Sequence, residues 1–247
     1  MQLCNSEPKK MQLFYNKDIS KNDTQFTFDK TESRHIVKVL RKKDGELLYI
    51  TNGKNELFIV KIILANDKRC LVEILNSETK LKSWNYHLHI AIAPTKNNDR
   101  LEWFLEKATE IGIDEITPII CSNSERTVLK TDRLEKIVQS AMKQSLKFTL
   151  PKLNEPIKFV EFINQNFKGD LFIAHCEELD KKSLAKEVKP NTDVLVLIGP
   201  EGDFSPQEIE KALAKKFIPV TLGESRLRTE TAGVVATQTV ALINEIN

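Results

Sequence analysis

From residue 89 onward the chain alternates short, almost wholly apolar runs with amphipathic helical stretches, and this alternation restricts the fold more than any other feature. The runs are His89-Ile90-Ala91-Ile92-Ala93, residues 113–120, Leu171-Phe172-Ile173-Ala174, Val194-Leu195-Val196-Leu197-Ile198 and Ile218-Pro219-Val220-Thr221-Leu222. Their length suits strands, and their unbroken apolarity suits strands buried on both faces. Between them, Leu101, Phe104, Leu105, Ala108 and Ile111 form one helical stripe, with Asp99 as the expected cap and Gly112 as the stop. Residues 132–147 read as a second helix, and a last helix is expected to bury Ala232, Val235, Ala236, Val240 and Ile243. Strands and helices in this order predict a parallel sheet covered by helices on both faces.

The preceding residues have a different rhythm. Residues 45–50, 57–63 and 70–75 are rich in β-branched and aromatic side chains, and Asn52-Gly53 between the first two is a tight-turn signal. Within residues 31–40, Ile36, Val37, Val39 and Leu40 keep helical spacing. A small β-barrel with one short helix is the economical reading. Polar residues 76–85 make the expected linker, and residues 1–10 an extension. The chain thus divides into a β domain, 11–80, and an α/β domain, 81–247.

Charge is distributed unevenly across this boundary. Residues 1–80 hold 15 basic and 11 acidic side chains, and the remainder holds 22 and 24. A basic β domain points to a polyanionic partner. At 40% hydrophobic residues, with 8 Gly and 9 Pro, the composition excludes collagen and wholesale disorder. No apolar run reaches the ~20 residues that span a bilayer. No signal-peptide pattern opens the chain. Cys4, Cys70, Cys121 and Cys176 lie far apart with no C-x-x-C, so neither a metal site nor a disulfide framework is expected, and a reducing cytoplasm is.

Ligands of open α/β sheets gather at the carboxyl ends of strands, and two such ends carry unusual sequence. The first is Gly199-Pro200-Glu201-Gly202-Asp203-Phe204, directly after an apolar strand. Its glycines would let backbone polar groups approach a ligand, so a side chain at Gly199 is expected to crowd that ligand. Ser205-Pro206-Gln207-Glu208 then reads as a capping box that fixes the start of the next helix. The loop matches neither a Walker sequence nor G-x-G-x-x-G, and a tight strand-to-helix turn is the structural alternative. The second end is Leu222-Gly223-Glu224-Ser225-Arg226-Leu227-Arg228-Thr229-Glu230-Thr231-Ala232. Arginines between a buried strand and a buried helix are expected to be partly enclosed. They would pair either with an anionic ligand or with Glu201, Glu224 or Glu230.

Other candidates are weaker. His35, His87, His89 and His175 are scattered, and His175 alone closes a buried strand. Glu177-Glu178 reads as solvated surface. Arg34, Lys38 and Arg41 recur at i, i+4, i+7 and would share a helix face, extended by His35, Lys42 and Lys43. Such a stripe is either a solvated face or a nucleic-acid contact.

The ordered set of motifs resembles the ribosomal RNA small subunit methyltransferase E family, within the SPOUT (α/β-knot) class. The resemblance rests on His35-Ile36-Val37-Lys38-Val39-Leu40-Arg41 followed by Gly45, Arg100-Leu101-Glu102-Trp103 and Lys107-Ala108-Thr109-Glu110-Ile111-Gly112. Gln144-Ser145, Gly199-Pro200-Glu201-Gly202 and Leu227-Arg228-Thr229-Glu230-Thr231-Ala232 complete it. It implies a PUA-like β-barrel that binds RNA and a knotted C-terminal domain that binds S-adenosyl-L-methionine and forms a homodimer. The implied reaction methylates N3 of one uridine in 16S rRNA of the small ribosomal subunit. The implied cofactor residues are His175, Leu197, Ile198, Gly199, Pro200, Glu201, Gly202, Leu222, Gly223, Leu227, Arg228, Thr231 and Ala232. Arg228 is the implied catalytic residue, and Arg34, His35, Lys38 and Arg41 the RNA contacts. The chain departs from the family pattern at Asp203, where Gly is usual, at Ser225-Arg226, where Arg and an aliphatic residue are common, and at Lys147, where Arg is common. A ribose 2′-O-methyltransferase of the same class, or an RNA-binding protein without chemistry, would share parts of this pattern.

Overall fold

The computed structural model describes residues 11–177 and 180–246, so the extension at 1–10 and Glu178 lie outside the described residues. Two units emerge: one joins the residues up to Lys82 with Met142–Leu150, and the other joins Ser83–Ala141 with the residues from Pro151 onward.

In the first unit, alternation of side chains along three strands builds a one-sided core. These are β3 (Leu47–Thr51), β4 (Glu56–Leu64) and β5 (Leu71–Thr79), which pair antiparallel in that order. Leu48, Ile50, Phe58, Val60, Ile62 and Val72 point to one face and are buried there. Register shifts at Ile59/Val60 and Ile62/Leu64 mark bulges, which bend a sheet. Two strands too short for the sequence pattern to disclose complete an open half-barrel: β1 (Leu13–Tyr15) along β3, and β2 (Gln25–Thr27) along β5. Because β5 runs to Thr79, residues 76–79 belong to the sheet rather than to the expected linker.

The short helix differs from expectation. Asp29 caps α1 (Lys30–Arg34) by accepting from the Glu32 amide at 2.8 Å. The chain then continues as a π-helical turn over His35–Val39, closed by Leu40 N–H to the His35 carbonyl. The wider turn removes the α-helical spacing on which a shared face of Arg34, Lys38 and Arg41 depended. Arg41 lies past it with φ 54. All three side chains remain exposed, as does His35. Residues 142–150 return to this unit at the Asn52-Gly53 turn. Leu150 N–H donates to the Gly53 carbonyl at 2.9 Å, and Asn55 N–H to the Phe148 carbonyl at 3.0 Å. Gly53 has φ +73, and a Cβ there would stand 2.9 Å from that of Leu150.

In the second unit, the apolar runs form the predicted parallel sheet. Its strands are β6 (Leu88–Ile92), β7 (Glu115–Ile120), β8 (Lys152–Leu153), β9 (Ile157–Lys158), β10 (Asp170–Ala174), β11 (Lys182–Ser183), β12 (Val194–Ile198) and β13 (Ile218–Thr221). The order is β11-β13-β10-β12-β6-β7-β8, with β9 also on β7. Every residue of β6 and β12 is buried, as a two-sided cover requires. Leu195, Leu197 and Ile173 face a cluster containing Phe159, Phe162, Phe204 and Ile209, contributed in part by α4 (Phe159–Phe162) and α6 (Pro206–Ala214). The remaining helices of the unit are α2 (Asn98–Ile111), α5 (Leu184–Glu187), α7 (Thr229–Ile246) and, as far as Ala141, α3 (Thr131–Gln144).

Two helix details correct the sequence reading. Asn97, not Asp99, caps α2, its side chain accepting from the Asp99 amide. The buried stripe of α7 runs through Gly233, Ala236, Thr237 and Val240, leaving Ala232, Val235 and Ile243 half-buried. The cause is Gly233: a Cβ there would stand 2.6 Å from the Phe104 ring, so the bare backbone is what packs against α2. Among the described residues, no helix is long and apolar enough to cross a membrane.

Candidate active site

Parallel register determines what meets at the carboxyl edge of the sheet. Ala174 of β10 is level with Ile198 of β12 on one side and Val220 of β13 on the other. The residues that follow therefore emerge together: His175 and Cys176 in the middle, Gly199 to Asp203 beside them, Leu222 to Arg228 opposite. They enclose a cleft of about 670 Å³, within the usual range for small-molecule sites.

Most of the expected ligand residues line it. His175, Ile198, Gly199, Pro200 and Glu201 come from one side, and Leu222, Gly223, Leu227, Arg228 and Ala232 from the other. Leu197, Gly202 and Thr231 are not part of the wall. Leu197 belongs by alternation to the Phe204 cluster. The bare Gly202 leaves room for Asn123, whose amide donates to the Gly202 and Asp203 carbonyls at 3.1 Å each. Thr231 sits half-buried in the first turn of α7. The wall also includes Cys176, Lys181, Thr221, Thr229 and Asp203; the sequence reading had placed Asp203 and Thr229 in the two strand-end loops without naming either as a cofactor residue.

The loops are tied to one another by polar contacts. Thr229 Oγ1 donates to the Gly199 carbonyl at 3.0 Å, joining the start of α7 to the end of β12. The Asp203 carboxylate accepts from the Cys176 amide at 2.7 Å and from Phe204 N–H at 2.9 Å. Asp203 itself holds φ 62, the left-handed region that glycine occupies at least cost, and Asp is among the residues that tolerate it. Beyond it the expected capping box is formed in full between Ser205 and Glu208. The Glu208 carboxylate also accepts from Ser122 N–H at 2.8 Å.

The glycines act differently from expectation. A Cβ on Gly199 would meet the Phe204 ring at 3.0 Å and the Phe204 nitrogen at 3.2 Å, so its smallness serves the protein's own packing. Gly223 has open space around it and φ +142, so there backbone conformation is what demands glycine.

The charged groups also separate. Glu201 Oε1 accepts from Lys96 N–H at 3.0 Å, while Oε2 is buried without a hydrogen-bond partner. Arg226 and Arg228 are exposed rather than partly enclosed, and neither forms an ion pair with a described residue. Glu230 instead faces Arg100 of α2 at 3.8 Å. His175 is buried, with neither ring nitrogen hydrogen-bonded. Burial holds its pKa below the usual value; Lys181 reinforces this, and Asp203 and Glu177 oppose it. The other histidines lie away from the cleft. His89 bonds Thr117 Oγ1 at 2.7 Å, and burial lowers its pKa to about 4. His87 stands 3.5 Å from Glu115, and the His35 ring lies edge-on to Phe14.

Comparison with known proteins finds two matching family models. Residues 82–241 match a family model described as an RNA methyltransferase domain, and residues 28–75 one described as an RNA methyltransferase PUA domain. A ribosomal RNA small subunit methyltransferase E from Buchnera aphidicola is 33% identical over 222 residues, 86% of each chain. The crystal structure of a probable rRNA-methyltransferase from Porphyromonas gingivalis has a TM-score of 0.89 at 43% identity, covering 96% of this chain and 99% of that one. A ribosomal RNA small subunit methyltransferase E from Neisseria gonorrhoeae, solved bound to S-adenosyl methionine, has a TM-score of 0.82 at 25% identity. That match covers 92% of this chain and 95% of the other.

Proposed function

Because this chain belongs to the ribosomal RNA small subunit methyltransferase E family, we propose that it methylates N3 of one uridine in 16S rRNA of the small ribosomal subunit, using S-adenosyl-L-methionine. The observation that carries this reading is the convergence of three strand-end loops on one cleft with an unpartnered carboxylate oxygen, Glu201 Oε2, in its wall. When bound, the cofactor supplies an electrophilic methyl group on a cationic sulfonium. The unpartnered Glu201 carboxylate oxygen suits that charge, and loop backbones suit the adenosine edges. His175, Ile198, Gly199, Pro200, Glu201, Leu222, Gly223, Leu227 and Ala232 would hold the cofactor, with Leu197, Gly202 and Thr231 supporting from behind the wall.

Uridine N3 becomes a good nucleophile once its proton leaves, and a nearby cation favours the resulting anion. Arg228 would serve that anion; its exposure at the cleft without an ion pair among the described residues supports this reading. It cannot be the general base, because a guanidinium stays protonated. Fixed alignment of the reactants contributes on the order of 7–11 kcal/mol. A uridine in a loop is reached more easily than one in a duplex, which must first be unstacked.

RNA binding is assigned to the β domain, residues 11–80, through Arg34, His35, Lys38 and Arg41, and the chemistry to residues 81–247. A homodimer through the second unit is supported by Leu242 and Ile246, apolar and exposed on α7. A cytoplasmic location follows from the ribosomal substrate. Mass spectrometry of nucleosides from 16S rRNA of a strain lacking this gene tests the reading. Loss of 3-methyluridine, restored by the gene, is expected; unchanged 3-methyluridine would refute it.

A further inference from the structure

Arg226 stands in the cleft wall, and the reaction described above gives it no part. Residues 226–228 run without turn or bend, and their exposure alternates: Arg226 is exposed, Leu227 half-buried and Arg228 exposed. With that period of two, side chains i and i+2 leave the same side of the chain. Leu227 therefore faces the protein, and two guanidinium groups stand together at the open mouth of the cleft. The carboxylates of the same wall do not pair with Arg226. Asp203 accepts from the Cys176 and Phe204 amides, and Glu201 Oε1 from the Lys96 amide. Glu224 forms no ion pair among the described residues. The third cation of the wall, Lys181, directs Nζ to the His175 carbonyl. Two like charges on one short segment repel each other, and an anionic ligand would offset that repulsion. Packing gives Arg226 no other purpose, since it is exposed, and the family pattern commonly carries an aliphatic residue at its position.

We propose that Arg226 binds the RNA phosphate beside the target uridine and so fixes how the base enters the cleft. This rests on the reading of the cleft as the site of uridine methylation. Every nucleotide of an RNA strand brings one full negative charge, so a uridine presented to Arg228 carries a phosphate on each flank. The planar guanidinium fork meets two phosphate oxygens at once. The cofactor's carboxylate is the other oxyanion that could reach this side chain. Its own ammonium sits on the same carbon and partly neutralises it, whereas a phosphodiester has no such partner. The exposed position of Arg226 also suits a ligand that arrives from solvent.

Methylation of small ribosomal subunits from the deletion strain by the full chain, followed across a salt series, tests this. Arg226→Gln is expected to raise KM for the subunits roughly tenfold, as loss of one charge-assisted hydrogen bond does. The kcat should stay within about twofold of wild type. The slope of log kcat/KM against log salt should become shallower by ~0.7, the share of one single-stranded phosphate contact. Arg226→Lys keeps the charge and loses the fork, so it should restore the slope and only part of KM. Calorimetry with S-adenosylhomocysteine and with 5′-methylthioadenosine, which lacks the amino-acid tail, should find the Gln variant unchanged toward both. Unchanged KM and salt slope overturn the proposal. Weakened binding of S-adenosylhomocysteine alone also overturns it, since Arg226 would then hold the cofactor's carboxylate. A fall in kcat with unchanged KM does the same by placing Arg226 on the reacting base. A wild-type protein that leaves the subunits unmethylated would refute the reading of the cleft itself, and the proposal with it.

Discussion

Replacing Thr229 by Val removes a hydroxyl that joins two of the cleft loops while nearly preserving side-chain shape. Thr229 is 5% exposed, and its Oγ1 donates to the Gly199 carbonyl at 3.0 Å. Valine loses that bond and leaves a buried carbonyl short of a partner, at a cost of about 1–3 kcal/mol. Helix propensity contributes little, because Thr and Val rank together. A loss near ~2 kcal/mol lowers the melting temperature of a domain of roughly 150–250 residues by about 4–8 °C. Both tryptophans of the chain, Trp84 and Trp103, lie in the second unit, so intrinsic fluorescence follows its melting directly. Cofactor affinity should fall as well, since the Gly199 loop is released from α7. Thr229→Ser keeps the hydroxyl and should recover most of both effects. A Val variant that melts within about a degree of wild type and binds cofactor normally would refute the tie. A Ser variant as weak as Val would transfer the effect to the lost methyl group.

Arg228→Ala should slow methyl transfer by roughly 2.7–4 kcal/mol of barrier, the loss seen when one preorganised donor is removed. Lys should partly restore the rate, and the melting temperature should not move, because no described carboxylate pairs with this side chain. Replacing Arg34, Lys38 and Arg41 together by Gln should reduce the salt dependence of RNA binding by up to about 2 units of slope, at ~0.7 per single-stranded phosphate contact. Calorimetry should find cofactor affinity unchanged in that variant. Gly199→Ala should destabilise the second unit by about 1–3 kcal/mol, because the added methyl meets the Phe204 ring. Unfolding by denaturant measures this, and a wild-type midpoint would contradict it.

Features with strong local causes were legible in the sequence. β6 and β12 are buried on both faces, so their composition alone marks them. The Ser205 capping box is a four-residue pattern with a local mechanism and forms as written. Features set by partners distant in sequence were not legible. β1 and β2 have three residues each, too few for alternation to register, and exist because β3 and β5 present free edges. The return of residues 142–150 depends on hydrogen bonds to Gly53 and Asn55, about 90 positions away. The π-helical turn after Arg34 keeps the apolar residues a helix would show, so periodicity could not separate the two.

At the cleft, the glycine-bearing loops were evident because they follow apolar strands. The reasons for their glycines were not, since Phe204 packs over Gly199 only in the folded loop. Asp203 stood out as a departure in the sequence; its bond to the Cys176 amide, across parallel strands, explains how a charged residue replaces glycine there. The arginines were expected to be enclosed because they precede a buried helix, but the turn carries them outward and Glu230 faces α2 instead.

The most direct measurement is transfer of labelled methyl from S-adenosylmethionine by the purified protein to small ribosomal subunits from the deletion strain, followed by complete digestion and chromatographic identification of the labelled nucleoside. The account predicts label in 3-methyluridine alone, and none with the Arg228→Ala protein over the same interval. Label in a 2′-O-methylated nucleoside, or no label despite tight cofactor binding, would contradict it.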